Sequence, residues 1–362
     1  MKRSNKKEFD YNYKYDFNNN ITNININNYS INKKYDLNNR LVNYNINDIL
    51  GYRISYLKNG CNSSNIPSSI YYNNGEYYKY SYDNMGNVNR VFKNGILINR
   101  YSYDCLGRII REDNKELDKS IIYCYDNNGN ILNKYTYKYS TSDLDDKEYI
   151  LNRYKYNNEL LVSINDINYE YDLLGNPIKI GNNILIWNGY LLEKYVNNIF
   201  KYNYNVLRIK KNDIEFIYDS NDNLIYSSDG LTFIYDDNKV IGFIYNNNYY
   251  FYKYDSLGNI NYLLDFNGNI IVKYKYDSYG NHKIFDNNDN EISDEHNIGY
   301  INPIRYKGYY YDNETGLYYL KARYYDPKAS RFISPDSLDY LDSNNINGLN
   351  LYSYCGNDPV NK

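Results

Sequence analysis

The chain keeps returning to one phrase, Tyr-x-Tyr-Asp-x-x-Gly. It reads YSYDNMGNV (Tyr80 to Val88), YSYDCLGRI (Tyr101 to Ile109), YCYDNNGNI (Tyr123 to Ile131), YEYDLLGNP (Tyr169 to Pro177), YKYDSLGNI (Tyr252 to Ile260) and YKYDSYGNH (Tyr274 to His282). The aspartates at 83, 104, 126, 172, 255 and 277 follow a period near 22 residues with two gaps, and weaker copies surround Asp16, Asp36, Asp219 and Asp236. A biased genome can multiply tyrosine and asparagine, but it does not set them in phase. Self-similarity at such a spacing is the mark of a repeat architecture.

Each copy has a mechanical reading. Tyr-x-Tyr is a strand whose two rings share a face, because side chains alternate along a strand. Asp-x-x-Gly-Asn is then a turn, in which the carboxylate accepts backbone N–H groups one or two residues on and glycine takes the positive φ. An apolar residue restarts the strand. Two strands, this turn and a short link use up one period, so each repeat is one β-hairpin. A lone hairpin cannot bury its face, so neighbours must stack and a long array winds into a spiral or shell. The 54 tyrosines, the abundant isoleucine and asparagine, and the scarcity of alanine agree with an all-β chain. A turn accounts for each repeat aspartate better than a row of ligand-binding aromatic clefts does.

The 41 basic and 44 acidic residues give a net charge of −3 with interspersed signs. Apart from the short basic start Lys2 to Lys7 there is no positive block, so nucleic acid is not the expected partner. No apolar run is long enough for a membrane span, and no apolar segment follows the basic start to make a signal peptide. Cys61, Cys105, Cys124 and Cys355 stand far apart, and His282 and His296 have no cysteine neighbours at ligand spacing. Neither a metal nor any other cofactor, nor a disulfide framework, is expected.

Near residue 300 the texture changes. Pro303, Pro327, Pro335 and Pro359 crowd the last stretch, and proline cannot donate to a sheet ladder. The polar run Asp286 to Asn297 before it reads as an exposed loop. Three stretches are expected: degenerate copies over 1–70, the regular array over 71–300, and a less regular, turn-rich segment over 301–362.

These residues resemble the YD-repeat proteins of the bacterial Rhs type, a family that includes wall-associated polymorphic toxins, components of insecticidal toxin complexes and the shell of animal teneurins. The resemblance covers about residues 75 to 362. Tyr204 to Tyr226 is similar to the family's N-G-x-R-x-x-K turn and strand pair, with Arg208 and Lys210 or Lys211 at the basic positions. Leu185 to Tyr195 is similar to its W-x-x-x-x-L hairpin. Asn302 to Asp336, with Asn347 to Asn361, is similar to the Rhs core-associated signature.

The resemblance implies a hollow shell of hairpin ribbon with the core-associated segment turned in as a plug, acting as a secreted or cell-surface scaffold that encapsulates and delivers a toxin. The implied partners are an enclosed C-terminal toxin or an upstream portion of the shell. It also implies, for some members, aspartyl self-cleavage after a D-P-x-G motif, in which paired carboxylates share a proton. Asp336 matches the R-F-x-S-x-D position, Arg331 is the candidate cation beside it, and Asp326 and Asp339 are candidate second acids. The family's D-G-L-N-L-Y reads Asn347-Gly-Leu-Asn-Leu-Tyr here, and the sequence stops at NDPVNK, so an incomplete protease site is expected rather than an enzyme. The alternative function is adhesion, with exposed tyrosine rows stacking on a cell-surface glycan.

Overall fold

The computed structural model describes residues 11–26, 29–47, 49–59, 62–337 and 349–362. Cys61, Asp339 and Asn347, and the basic start, lie outside the described residues. Among those described, 28 strands from β1 (Tyr11–Tyr15) to β28 (His282–Phe285) form one antiparallel meander in which each strand pairs with its neighbours in sequence. The ribbon winds into a shell. A short helix (Ile298–Ile301) and a separate four-stranded sheet (Tyr310–Asp312, Leu317–Leu320, Arg323–Asp326 and Arg331–Phe332) make a less regular C-terminal plug. The polar run from Asp286 is an exposed turn and loop.

The repeat turn reaches further than a one- or two-residue cap. Oδ1 of Asp83 accepts the N–H groups of Met85 and Asn87, and Oδ2 accepts the Asn87 side-chain amide. The same pattern recurs at Asp126, Asp172, Asp255 and Asp277. At Asp36 and Asp104 the closing side chain is Arg40 or Arg108 instead. The motif's asparagine is therefore a structural partner of its aspartate. Asp265 and Asp286 make the turn too, although no Tyr-x-Tyr precedes them, and Asn203 makes it with an amide in place of the carboxylate. Asp236 does not. Its strand closes on a tight turn, and its carboxylate pairs across the molecule with Lys33 at 2.5 Å.

The two tyrosines of each copy have different tasks. The first ring is buried at Tyr80, Tyr101, Tyr123, Tyr252 and Tyr274, and partly buried at Tyr169. The second is half-buried, and in three copies its hydroxyl donates to the carbonyl of the residue that restarts the strand after the turn of an earlier hairpin. Tyr103 bonds Val88 and Tyr125 bonds Ile109, each at 2.7 Å, and Tyr276 bonds Ile260 at 3.0 Å. These repeats are thus pinned to earlier hairpins. Where the tyrosine is replaced, Trp187 donates its indole N–H to Pro177 at 2.7 Å.

The ribbon folds back on itself. Its early arm, from β1 to β12 (Ile131–Lys138), lies over its late arm, from β23 (Leu231–Asp236) to β28. Ile234, Ile244, Phe251 and Leu264 on one face of the late arm share a core with Ile24, Ile26 and Tyr29 of the early arm. On the opposite face, Phe233, Phe243, Leu263 and Val272 share a second core with Tyr310, Leu317 and Ile333 of the plug. At these positions the late arm lies between early arm and plug, while Tyr306, Tyr318 and Tyr354 of the plug join the early-arm core directly.

Candidate functional site at the plugged rim

In a meander, turns after odd-numbered strands lie along one edge and turns after even-numbered strands along the other. Most of the aspartate turns are on the odd edge, and the plug binds that edge turn by turn. Asn361 accepts the Val88 N–H at 2.8 Å, and Asn357 donates to the Gly129 carbonyl at 2.7 Å. Tyr352 donates to Gly175 at 2.8 Å, Tyr306 to Ser278 at 2.6 Å, and Tyr318 to Gly280 at 3.0 Å. Apart from the Val88 N–H, the groups satisfied are carbonyls left over by the hairpin turns. Two turn glycines also clear the approach: a Cβ on Gly280 would meet the Tyr306 ring at 2.7 Å, and one on Gly175 the Tyr352 hydroxyl at 2.4 Å.

The strongest fastening is a buried charge cluster. Arg208, at the start of β20 (Arg208–Lys211), donates to Asp312 of the plug at 2.5 Å, and Lys211 reaches the other Asp312 oxygen at 3.1 Å. Both Arg208 and Asp312 are buried, and the guanidinium lies 4.4 Å from the Tyr319 ring and 4.9 Å from that of Tyr310. Of the two lysines open at this position, Lys211 faces inward while Lys210 faces out to Glu215. A second buried arginine, Arg305, donates to Nε2 of His282 at 2.7 Å, which leaves Nδ1–H of that ring for the Tyr318 hydroxyl. Burial, and then the Arg305 charge, hold the His282 pKa down and the ring neutral.

Three of the four residues expected for self-cleavage, all but Asp339, lie among the described residues and occupy separate settings. Asp336 pairs with Arg323 at 2.5 Å, and the Arg323 guanidinium sits 3.6 Å over the Phe332 ring. Arg331 turns away from it, donating to the Glu159 carbonyl at 2.7 Å and lying over Tyr156 and Tyr352. Asp326 caps its own turn by accepting the N–H groups of Lys328 and Ala329, and burial raises its carboxyl pKa. Asp336 therefore has a guanidinium as its partner. Sequence spacing pointed to Arg331 because it is near in the chain; Arg323 arrives through the hairpin that brings its strand alongside.

Two buried carboxyls do approach each other elsewhere, at the seam between arms. Glu112 on β10 (Ile109–Asn114) accepts from the backbone N–H and the hydroxyl of Ser278, and from the amide of Asn114. Burial first, and Asp277 next, push its pKa up to about 7. Lys134 stands 3.8 Å from Asp277. No sequence motif marked Glu112, since it is a strand residue outside the repeat phrase.

Residues 96–360 match the teneurin YD-shell family, and the chain belongs to that family. Over 279 residues, 71% of this chain, it is 30% identical to the tRNA3(Ser)-specific nuclease WapA of Bacillus spizizenii, of which it spans 11%. A stretch of 58 residues, 16% of this chain, is 46% identical to toxin protein Tse5 of Pseudomonas aeruginosa and spans 4% of it. Among solved structures, the Photorhabdus luminescens Tc holotoxin pore superposes over 97% of this chain and 20% of that chain, with a TM-score of 0.73 at 17% identity. That likeness fixes the shell fold. The chain is a toxin-related YD-shell scaffold spanning about a tenth of the length of the WapA nuclease.

Proposed function

We propose that this chain is a section of an encapsulating shell of the Rhs type, whose plug seals one rim so that a toxin domain is held inside and delivered with the shell outside the producing cell. The observation that carries this reading is the run of plug-to-turn bonds along a single edge, locked by Arg208 and Asp312. Such a seal works as a steric barrier and needs no turnover. The toxin and nuclease relatives support the cargo, and the buried repeat tyrosines speak against open tyrosine rows stacking on glycans. The test is protease protection: an unstructured reporter joined after Lys362 should resist digestion in the intact chain and become accessible in Asp312→Ala. Equal digestion in both removes the cage reading.

For Asp336, the proposal is cleavage of a following D-P-x-G tail, with Arg323 holding the carboxylate in place. With such a tail appended, cutting should stop in Asp336→Asn. Undiminished cutting would take Asp336 out of the mechanism.

A further inference from the structure

The early arm has two faces, and one of them lies in the core: Ile31, Tyr44, Ile70, Tyr78 and Val91 belong to the cluster shared with the late arm. The opposite face can be followed by register. Lys34 of β3 (Tyr29–Tyr35) pairs with Asn43, Asn43 with Arg53, Arg53 with Tyr71, and Tyr71 with Tyr77. Lys79, two residues on from Tyr77, pairs with Phe92; Arg90, two residues before Phe92, pairs with Arg100, and Arg100 with Asp113 of β10. Paired residues, and residues two apart on a strand, share a face. Adjacent strands lie about 4.8 Å apart, so the cations form a row that crosses from β3 to β10 over roughly 34 Å.

Folding has sorted the charges. Along the chain acids and bases are interspersed, but in this stretch Asp36, Asp83 and Asp104 are held in turns, and Glu76 and Glu112 face the late arm. The outward row keeps one acid, Asp113, which is buried between Arg100 at 2.6 Å and Arg111 at 2.9 Å. Arg111 also donates to the carbonyls of Ser140 and Ser142, which closes the row at that end. Lys34, Arg53, Lys79 and Arg90 are exposed, and among the described residues none of the four has a carboxylate within ion-pair distance.

Aromatic rings interleave with these cations. Tyr71 is 38% exposed and stacks on Tyr77 at 5.5 Å, and the Lys79 ammonium lies 5.7 Å from the Tyr77 ring. Lys34, Asn43, Arg53, Ser55 and Tyr71 line a groove of ≈ 540 Å³. Cations that track a backbone, beside rings on which bases stack, are the two parts of a single-strand binding surface. A lipid surface calls for a broad basic field rather than a groove with rings along one line. A duplex keeps its bases stacked on each other and leaves Tyr71 and Tyr77 unused. We propose that the outward face of the early arm, from Lys34 to Arg100, binds single-stranded nucleic acid, with phosphates on Lys34, Arg53, Lys79 and Arg90 and bases on Tyr71 and Tyr77. Attraction is local to this face, so the chain's net charge of −3 does not oppose it. The face points away from the late arm and is the same in an empty shell as in a loaded one, so it stands apart from the cargo reading.

The test titrates the full chain into a labelled oligothymidylate of about 20 nucleotides, an abasic strand of the same backbone and a duplex of the same length, read by fluorescence anisotropy, with co-sedimentation on phosphatidylserine vesicles alongside. Oligothymidylate should bind at least about tenfold more tightly than the abasic strand or the duplex. Its affinity should fall with salt at a log–log slope of about −3, as expected for four neutralised phosphates on a single strand. Arg53→Glu with Lys79→Glu, both at exposed positions, should weaken binding by about tenfold or more while the thermal midpoint stays in place. Tyr71→Ser with Tyr77→Ser should bring oligothymidylate down to the level of the abasic strand. Equal binding of oligothymidylate and the abasic strand, or binding that the charge reversal leaves unchanged, overturns the proposal. So does vesicle binding without oligothymidylate binding, which would assign the face to an anionic lipid surface.

Discussion

Two kinds of aspartate hold this molecule together, and they differ in where their partners come from. Asp126 is satisfied within its own turn, by two N–H groups and the Asn130 amide no more than four residues on. Asp312 is satisfied by Arg208 and Lys211, which the chain brings from 104 and 101 residues away. The first kind is repeated, half-exposed and replaceable, since Asn203 does the same work. The second is fully buried and tied to one arrangement of plug and shell. Local turns make the ribbon; distant ion pairs such as the Asp312 cluster fasten it closed.

The sharpest way to break that contrast is Asp312→Ala. It leaves Arg208 charged, buried and without its carboxylate, which costs about 3–5 kcal/mol. Urea unfolding should show this loss, with the plug tyrosines released first by hydrogen exchange. A loss below about 1 kcal/mol would mean that the cluster does not fasten the plug.

Next comes the arm seam at Glu112. Its pKa is raised in the folded chain, so its contribution to stability is full below the ordinary carboxylate range and is lost as pH rises to about 7. Thermal midpoints should fall between about pH 5 and pH 7, and Glu112→Gln should flatten that slope. An unchanged slope in the variant would place the titration elsewhere.

A single turn is smaller still. Asp126→Ala should cost about 1.5–3 kcal/mol, from two backbone bonds to a charged acceptor, whereas Asp126→Asn should retain most of the stability. Tyr103→Phe removes only the hydroxyl on Val88 and should cost about 1 kcal/mol in the same measurement. At the small end, Val206 holds φ at 65° in the place where other turns have glycine. A β-branched residue is strained there, so Val206→Gly should gain up to about 1 kcal/mol in spite of glycine's looser unfolded chain. If Asp126→Ala cost as much as Asp312→Ala, the two classes of aspartate would be energetically one.

The repeat phrase made the array legible because strand, turn and glycine all act within a few residues. Its limits follow from the same fact. Asp265 and Asp286 make the full turn without the preceding tyrosines, so a search keyed to Tyr-x-Tyr passes over them. Asp236 has only a weak copy of the phrase, with Phe233 for the first tyrosine and Lys239 for the glycine, and on its tight turn it gives its carboxylate to Lys33 in the other layer. At the plug, nearness in sequence favoured Arg331 for Asp336, and hairpin pairing supplied Arg323.

The spacing of tyrosine, aspartate and glycine was enough to dictate hairpins, their period, their buried faces and an all-β array, since each of those follows from backbone geometry over one repeat. Which face of the ribbon is covered twice, which lysine turns inward, and which carboxyl is left in a seam without a full counter-charge were settled only when distant strands packed. Those outcomes depend on desolvation and pairing between residues about a hundred or more positions apart, and a local pattern carries no record of that distance.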